Sequence, residues 1–199
     1  MRSRYWRNAA VTESGGAAPE GAAAPGCAAR PVAEAAPAAG AQMRIGLGYD
    51  AHRFAPDRAL VLGGVRLREH DGLLGHSDAD VLVHAIMDAL LGAAGLEDIG
   101  HYFPDTDPAF AGADSMGLLA AVVALLRDRG WQPVNVDAVV ICEEPRIAPH
   151  RALMRERLAC ALGIDVEAVG LRGTTTEGMG FTGRREGIAA QAVTLVQRN

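Results

Sequence analysis

The chain has 199 residues, 49% of them hydrophobic, and a net charge of −5 at pH 7. That is enough length for one domain with a buried core, and the acidic balance argues against nucleic acid or an anionic membrane surface as a partner. All 19 Lys and Arg residues are Arg, which excludes a P-loop lysine and a Schiff-base lysine; the serines Ser3, Ser14, Ser77 and Ser115 stand in no G-x-S-x-G elbow, and no apolar run approaches the roughly 18 to 20 residues of a membrane span.

Residues 1–42 are dominated by Ala, Gly and Pro, show no apolar period, and read as a disordered extension. They carry Glu13, Glu20 and Glu34 and few hydroxyls, unlike a plastid transit peptide. Cys27, Cys142 and Cys160 form no C-x-x-C pair and read as reduced thiols. A cytoplasmic location is therefore expected, with a plastid as the alternative should the extension be a transit peptide. The domain proper is expected over residues 43–199.

From Arg44 to His52, Ile45, Leu47, Tyr49 and Ala51 alternate with Gly46, Gly48, Asp50 and His52, which predicts a strand. Period two puts the Asp50 and His52 side chains on one face, about 7 Å apart at Cα. A hairpin turning at Gly63-Gly64 follows, then a polar loop, Glu69 to Gly72. Gly75 to Gly92 reads as a helix capped by Asp78 or Ser77, with Asp80 in its first turns. Val81, Leu82, Ala85, Ile86, Ala89 and Leu90 stand at helical spacing, and His84 lies mid-helix. Leu96 to Pro108 is acidic and aperiodic; its Asp98, Asp105 and Asp107 suit coordination, ligand contact or turn building. A second helix should run from a cap at Asp114 or Ser115 to about Arg129. A strand over Pro133 to Ile141, a loop from Cys142, a helix over about Pro149 to Leu162 presenting Leu153, Arg157 and Leu158, and strands over Val169 to Thr174 and Ile188 to Gln197 complete the chain. The expected fold is an α/β two-layer sandwich, a mixed β-sheet with three main helices packed on one side.

Asp50, His52 and His84 form a two-nitrogen, one-oxygen set. It suits a catalytic Zn²⁺ with an open fourth position, or Mn²⁺ or Fe²⁺. Taken alone, His84 reads more readily as a hydrogen-bonded core histidine than as a ligand. The stretch Gly173 to Gly187, GTTTEGMGFTGRREG, is rich in glycine and hydroxyls, so backbone N–H groups and Thr side chains are able to approach phosphate oxygens. Glu177 would repel those phosphates unless a hard divalent cation such as Mg²⁺ lay between them; the alternative is an ordinary glycine-rich turn.

The runs Gly48 to His52 (GYDAH), Gly72 to Asp80 (GLLGHSDAD), His84, Asp98-Ile99-Gly100, Phe103 to Asp107 (FPDTD), Thr174 to Gly178 (TTTEG) and Phe181 to Arg184 (FTGR) together resemble the 2-C-methyl-D-erythritol 2,4-cyclodiphosphate synthase family of the non-mevalonate isoprenoid pathway. The resemblance runs in unbroken order over residues 43–199. It implies a phosphorus-oxygen lyase acting on 4-diphosphocytidyl-2-C-methyl-D-erythritol 2-phosphate, whose 2-phosphate attacks the β-phosphorus and expels CMP. An intramolecular phosphate nucleophile needs no enzyme serine or lysine, only positioning and charge neutralisation. The resemblance further implies Zn (or Mn) at Asp50, His52 and His84, and Mg (or Mn) at Glu177 with the substrate phosphates. His76, Thr175 and Glu177 are implied as catalytic. Substrate contacts are implied at Asp50, His52, His76, Ser77, Asp98, Ile99, Gly100, Phe103, Asp105, Asp107, Cys142, Pro145, Ala148, Thr174, Thr175, Thr176, Glu177, Phe181 and Arg184. Of these, His76 and Ser77 lie toward the erythritol and 2-phosphate, Asp98 and Gly100 toward the erythritol hydroxyls, the segment from Cys142 toward cytidine, and Thr174 and Thr175 near the α-phosphate and base. It also implies a homotrimer with sites between subunits and a central channel for an isoprenoid diphosphate, faced by Arg184 and Tyr49. Two other readings stay open on the residues alone: a phosphohydrolase using the same metals, and a noncatalytic trimeric binder of isoprenoid diphosphates.

Overall fold

The strand carrying Asp50 and His52, β1 (Gln42–Ala55), has an unusual division of labour between its faces. Gly46 and Gly48 are buried, whereas Met43, Ile45, Leu47 and Tyr49 are exposed. The glycines face the helix α1 (Val81–Ala94), which lies directly on them. A Cβ built on Gly46 would stand 1.8 Å from the Ala89 carbonyl oxygen, and one on Gly48 2.0 Å from that of Ala85. Only residues without a side chain allow this approach. The computed structural model describes residue 40 and residues 42–198; the predicted disordered extension lies almost wholly outside the described residues, and Gln42 already belongs to β1.

The hairpin is formed by β2 (Leu60–Leu62) and β3 (Val65–Arg68), and Gly63 and Gly64 both have positive φ, 56° and 70°, as a tight two-residue turn of the primed type requires. A short strand β4 (Gly72–Leu73), which begins at the last residue of the expected polar loop, pairs with the end of β1. Past α1 come a one-turn helix α2 (Ile99–Tyr102), a 3₁₀ turn (Pro108–Phe110) and α3 (Ser115–Asp128). Then follow β5 (Gln132–Ile141), α4 (Arg151–Leu162), β6 (Val169–Thr174), a second one-turn helix α5 (Gly180–Gly183) and β7 (Gly187–Arg198). The five-stranded sheet has the order β4-β1-β7-β5-β6. Only β5 and β6 are parallel neighbours, so the sheet is mixed, with the helices on one side as expected.

Helix α1 is apolar almost all round, and 12 of its residues are buried. A helix of that kind must be covered on every side: β1 and β7 lie beneath it and α3 beside it. Its N-cap is Asp80, not Asp78 or Ser77. The wholly buried Asp80 carboxylate accepts from the N–H groups of Val83 at 3.1 Å, Gly63 at 3.0 Å and Gly64 at 2.7 Å, tying the hairpin turn to the helix start. Burial pushes this carboxyl up to about 6, against the pull of those donors. In α4 the inward face is Met154, Leu158, Ala159 and Leu162, whereas Leu153, expected on it, is 45% exposed. The physical reason is a phase difference of one residue between two adjacent leucine-bearing stripes, which spacing alone does not resolve. Among the described residues no helix is long and apolar enough to cross a membrane.

The glycine contact sets a test of the packing. Gly48→Ala is expected to force α1 off β1 and lower stability by about 3 kcal/mol. Gly92→Ala, on the open side of α1 with nothing near the added methyl, is expected to raise it by about 0.5 to 1 kcal/mol; urea unfolding midpoints decide both.

Candidate metal centre and substrate cleft

Where α1 crosses β1, three donor atoms converge. Asp50 Oδ2 lies 3.0 Å from His52 Nε2 and 3.0 Å from His84 Nδ1, and the two ring nitrogens are 3.2 Å apart. Two of the donors come from one face of β1, and the third from the helix that the β1 glycines admit. At zinc–nitrogen distances of 2.0 to 2.1 Å, donors on one face of a tetrahedron lie about 3.3 Å apart. The observed triangle matches that spacing, so these residues fit a divalent ion. Among the described residues this is the one group of three or more His, Cys, Asp or Glu side chains disposed to hold one.

The far side of each ring is also engaged. His52 Nδ1–H donates to the Leu74 carbonyl at 2.7 Å, so Nε2 is the nitrogen turned toward Asp50, a lone pair in the neutral ring and a donor in the charged one. His84 Nε2 lies 3.0 Å from Ser115 Oγ and 3.2 Å from Ser77 Oγ. Burial raises the cost of a charge on Asp50, yet the His52 and His84 imidazoles beside it hold its carboxyl far below the usual carboxylate range. Burial likewise disfavours a charged His52, but its hydrogen bond to Asp50 outweighs this and raises the ring above its ordinary value.

The donors open on a cleft of about 430 Å³ lined also by His76, Ser77, Met87, Ile99, Gly100, Phe103, Asp105, Phe110 and Leu118. The aperiodic acidic segment is thus the cleft's second wall, and Phe103 and Phe110 meet edge to face, with centroids 5.4 Å apart. Asp98 caps α2 through His101 N–H, and Asp107 caps the 3₁₀ turn through Ala109 N–H. Ile99 and Gly100 line the cleft, whereas Asp98 and Asp107 do not. His76 Nε2–H donates to the Asp107 carbonyl, and Arg58 straps the same loop by donating to the Gly75 and Ser77 carbonyls.

A second cleft of about 310 Å³ lies at the other edge of the sheet, between Cys142, Pro145, Ala148, Gly173, Thr174 and Thr175, with Arg146, Arg151 and Arg172 at its rim. The two clefts share no lining residue. Asp50 pairs with Ala190, Ala190 with Val140, and Val140 with Gly173. They stand in one row across the sheet, three strand spacings or about 14 Å from first to last. Beyond β6, Thr175 Oγ donates to Glu177 at 2.7 Å, and Glu177 adopts φ 53°. Glu143 accepts from the N–H groups of Thr176 and Gly178, and Thr176 Oγ donates to the Met179 carbonyl. Arg184 pairs within the chain with Glu186 at 2.7 Å, and Phe181 is partly exposed beside it. Burial, aided by Glu143, pushes the Cys142 thiol up to about 11, so it is neutral and a poor nucleophile at neutral pH.

The family model described as the YgbB family matches residues 43–197. The chain belongs to the YgbB family. The chain is similar to the 2-C-methyl-D-erythritol 2,4-cyclodiphosphate synthase of Rubrobacter xylanophilus, 63% identical over 158 residues that cover 78% of this chain and 95% of that one. The enzyme of the same name from Thermosynechococcus vestitus is 60% identical over 156 residues, 78% of this chain and 97% of that one. Among solved structures, the bifunctional IspDF of Campylobacter jejuni superposes with a TM-score of 0.77 at 38% identity, over 80% of this chain and 43% of that one. The IspF of Plasmodium falciparum in complex with CDP superposes with a TM-score of 0.69 at 32% identity, over 79% of this chain and 97% of that one.

Within this YgbB-family site, Ser115, Asp78, Arg58 and Glu143 escaped the sequence reading as site residues. Ser115 and Asp78 stood out only as helix caps, and Arg58 and Glu143 carry no spacing signal because their partners lie far along the chain. A proton competes with a metal ion for each ring nitrogen. Because the His52 ring is raised above 6.5, apparent Zn²⁺ affinity measured by chelator competition is expected to hold steady near pH 8 and to fall at least about tenfold per pH unit once the pH drops below that raised value.

Proposed function

We propose that this chain converts 4-diphosphocytidyl-2-C-methyl-D-erythritol 2-phosphate to 2-C-methyl-D-erythritol 2,4-cyclodiphosphate and CMP, as a phosphorus-oxygen lyase of the non-mevalonate isoprenoid pathway. The observation that carries the reading is the Asp50, His52 and His84 donor triangle at the floor of a cleft, in a chain whose relatives bear that enzyme name. Divalent ions, Zn²⁺ held by Asp50, His52 and His84 and Mg²⁺ held by Glu177 with the substrate phosphates, would neutralise charge on the phosphate oxygens and draw electron density from the phosphorus. The chain's own residues do the rest by positioning. The cleft formed by Ile99, Gly100, Phe103 and Asp105 takes the methylerythritol 2-phosphate end, with His76 and Ser77 at its rim and Asp98 and Asp107 shaping the turns that build it. The cleft between Cys142, Pro145, Ala148 and Thr174 takes the cytidine; CDP bound to the Plasmodium falciparum relative supports a cytidine nucleotide as ligand. Thr175 and Thr176 anchor the loop that presents Glu177, and the Thr175 hydroxyl holds the carboxylate in place. With Cys142 neutral and no lysine present, no covalent enzyme intermediate is needed, because the nucleophile belongs to the substrate.

The two clefts lie about 14 Å apart across one sheet, which supports an active site completed by a neighbouring subunit. The open face of the sheet supports the same conclusion. Ile45 is 72% exposed, Leu47 61%, Tyr49 55% and Val193 41%, and full burial of each such side chain contributes about 1.5 to 3 kcal/mol. We read this face as the core of a homotrimer, with Phe181 and Arg184 toward a channel able to hold an isoprenoid diphosphate. The free, buried thiol of Cys142 supports a reducing compartment, the cytoplasm.

Phosphorus-31 NMR of the protein with substrate and Mg²⁺ is expected to show the coupled upfield signals of a cyclic diphosphate appearing with CMP, lost on zinc chelation and in His84→Ala. Linear phosphates would instead indicate a hydrolase, and unchanged substrate with metal-replete protein a binding module. Leu47→Glu is expected to convert the trimer to monomers in sedimentation velocity and to abolish turnover with them.

A further inference from the structure

The metal ligands account for one face of each imidazole. The opposite side of His84 meets a hydrogen-bond chain that the proposed reaction does not by itself require. His84 Nε2 lies 3.0 Å from Ser115 Oγ, and Ser115 Oγ–H donates to Asp78 Oδ1. Asp78 Oδ1 also accepts from Asp80 N–H at 3.1 Å, and Oδ2 accepts from Ser115 N–H at 3.1 Å. Ser115 is wholly buried and His84 nearly so, so these bonds face little competition from water.

The direction of this chain follows from its end. An ionised carboxylate only accepts, so Ser115 spends its single proton on Asp78 and turns a lone pair to His84. That lone pair, at 3.0 Å the nearer of the two hydroxyls, favours a His84 proton on Nε2, and Nδ1 is left as a lone pair aimed at Asp50 and His52. Without that chain the preference inverts. Asp50 Oδ2 stands 3.0 Å from Nδ1 and would draw the ring proton there, while Ser77 Oγ, which already accepts from Ala79 N–H at 3.1 Å, would be free to donate to Nε2. A proton on Nδ1 blocks the position a metal needs.

We propose that Ser115 and Asp78 are positioning residues of the metal centre, which hold His84 in the Nε2–H tautomer so that its Nδ1 stays open to the ion. This rests on the reading of Asp50, His52 and His84 as metal ligands. Because Ser115 opens α3 and Asp78 follows the His76-Ser77 segment at the cleft rim, the same pair joins two walls of the substrate cleft to one ligand of the ion.

The test uses the full chain and two readouts: Zn²⁺ affinity by chelator competition, and the long-range ¹⁵N–¹H NMR pattern of the imidazoles in metal-stripped protein at pH 8. Wild-type protein is expected to show His84 protonated on Nε2. Ser115→Ala is expected to move that proton to Nδ1 and to weaken Zn²⁺ binding about 10- to 100-fold, with the His52 pattern unmoved. Asp78→Asn keeps the side-chain shape, but either amide orientation sets its NH₂ against the N–H of Asp80 or of Ser115. It is expected to lose at least about tenfold in affinity. Zn²⁺ affinities of both variants within about twofold of wild type, or an unmoved His84 tautomer in Ser115→Ala, overturn the proposal. Wild-type protein that takes up no Zn²⁺, or His84→Ala that binds it as wild type does, defeats the metal reading itself, a separate failure.

Discussion

The contact on which the molecule depends is the seating of α1 on β1, backbone against backbone. Glycines at 46 and 48 remove the side chains that would otherwise hold the two elements a full layer apart. Apolar burial by itself is non-directional and does not fix how a helix sits on a sheet. Here it is made specific by shape, because the Ala85 and Ala89 carbonyls occupy the space of two missing β-carbons. The residue next to Ala85 is His84, and two residues beyond Gly48 is Asp50. The packing that stabilises the core therefore also sets the 3.0 Å separation between a strand carboxylate and a helix imidazole.

Three aspartates near this contact perform different tasks because their surroundings differ. Asp50 meets two imidazoles and stays ionised despite its partial burial. Asp80 is wholly buried against backbone N–H groups, which hold it structurally while burial opposes its charge. Asp78 meets a hydroxyl and two N–H groups. The same side chain thus serves as one corner of a donor triangle that fits a cation, as helix cap and as acceptor at the end of a hydrogen-bond chain. Desolvation sets the cost of each charge, and the number of donors decides whether it is met.

The sheet has two unequal faces. One is closed by helices around the core. The other carries Met43, Ile45, Leu47 and Tyr49 in the open, and on neighbouring strands Val193 and the Asp137–Arg172 pair. Exposed aliphatic residues in a contiguous row mark a surface suited to contact, on the face of the sheet opposite the helices. Two clefts at opposite edges of one sheet cannot close on a single small molecule within one chain.

Much of this was legible in the residues themselves. Period two placed Asp50 and His52 on one face of a strand, period 3.6 placed His84 on a buried helix, and Gly63-Gly64 announced its hairpin. These signals are local, generated by the chain's own geometry over a few residues, and they survived into the fold. The order of strands, the pairing that sets Asp50 in a row with Gly173, and the meeting of His84 with Ser115 and Asp78 were decided only in three dimensions. The helix cap shows why: Ser77, Asp78 and Asp80 all have the chemistry to cap α1, and Asp80 takes the role because the hairpin amides of Gly63 and Gly64 also point at it. The inversion of β1, glycine inward and leucine outward, has the same origin. An alternating pattern states that a strand has two faces, but the neighbour that arrives decides which face is buried, and here that neighbour is a helix backbone with no room for a side chain beneath it.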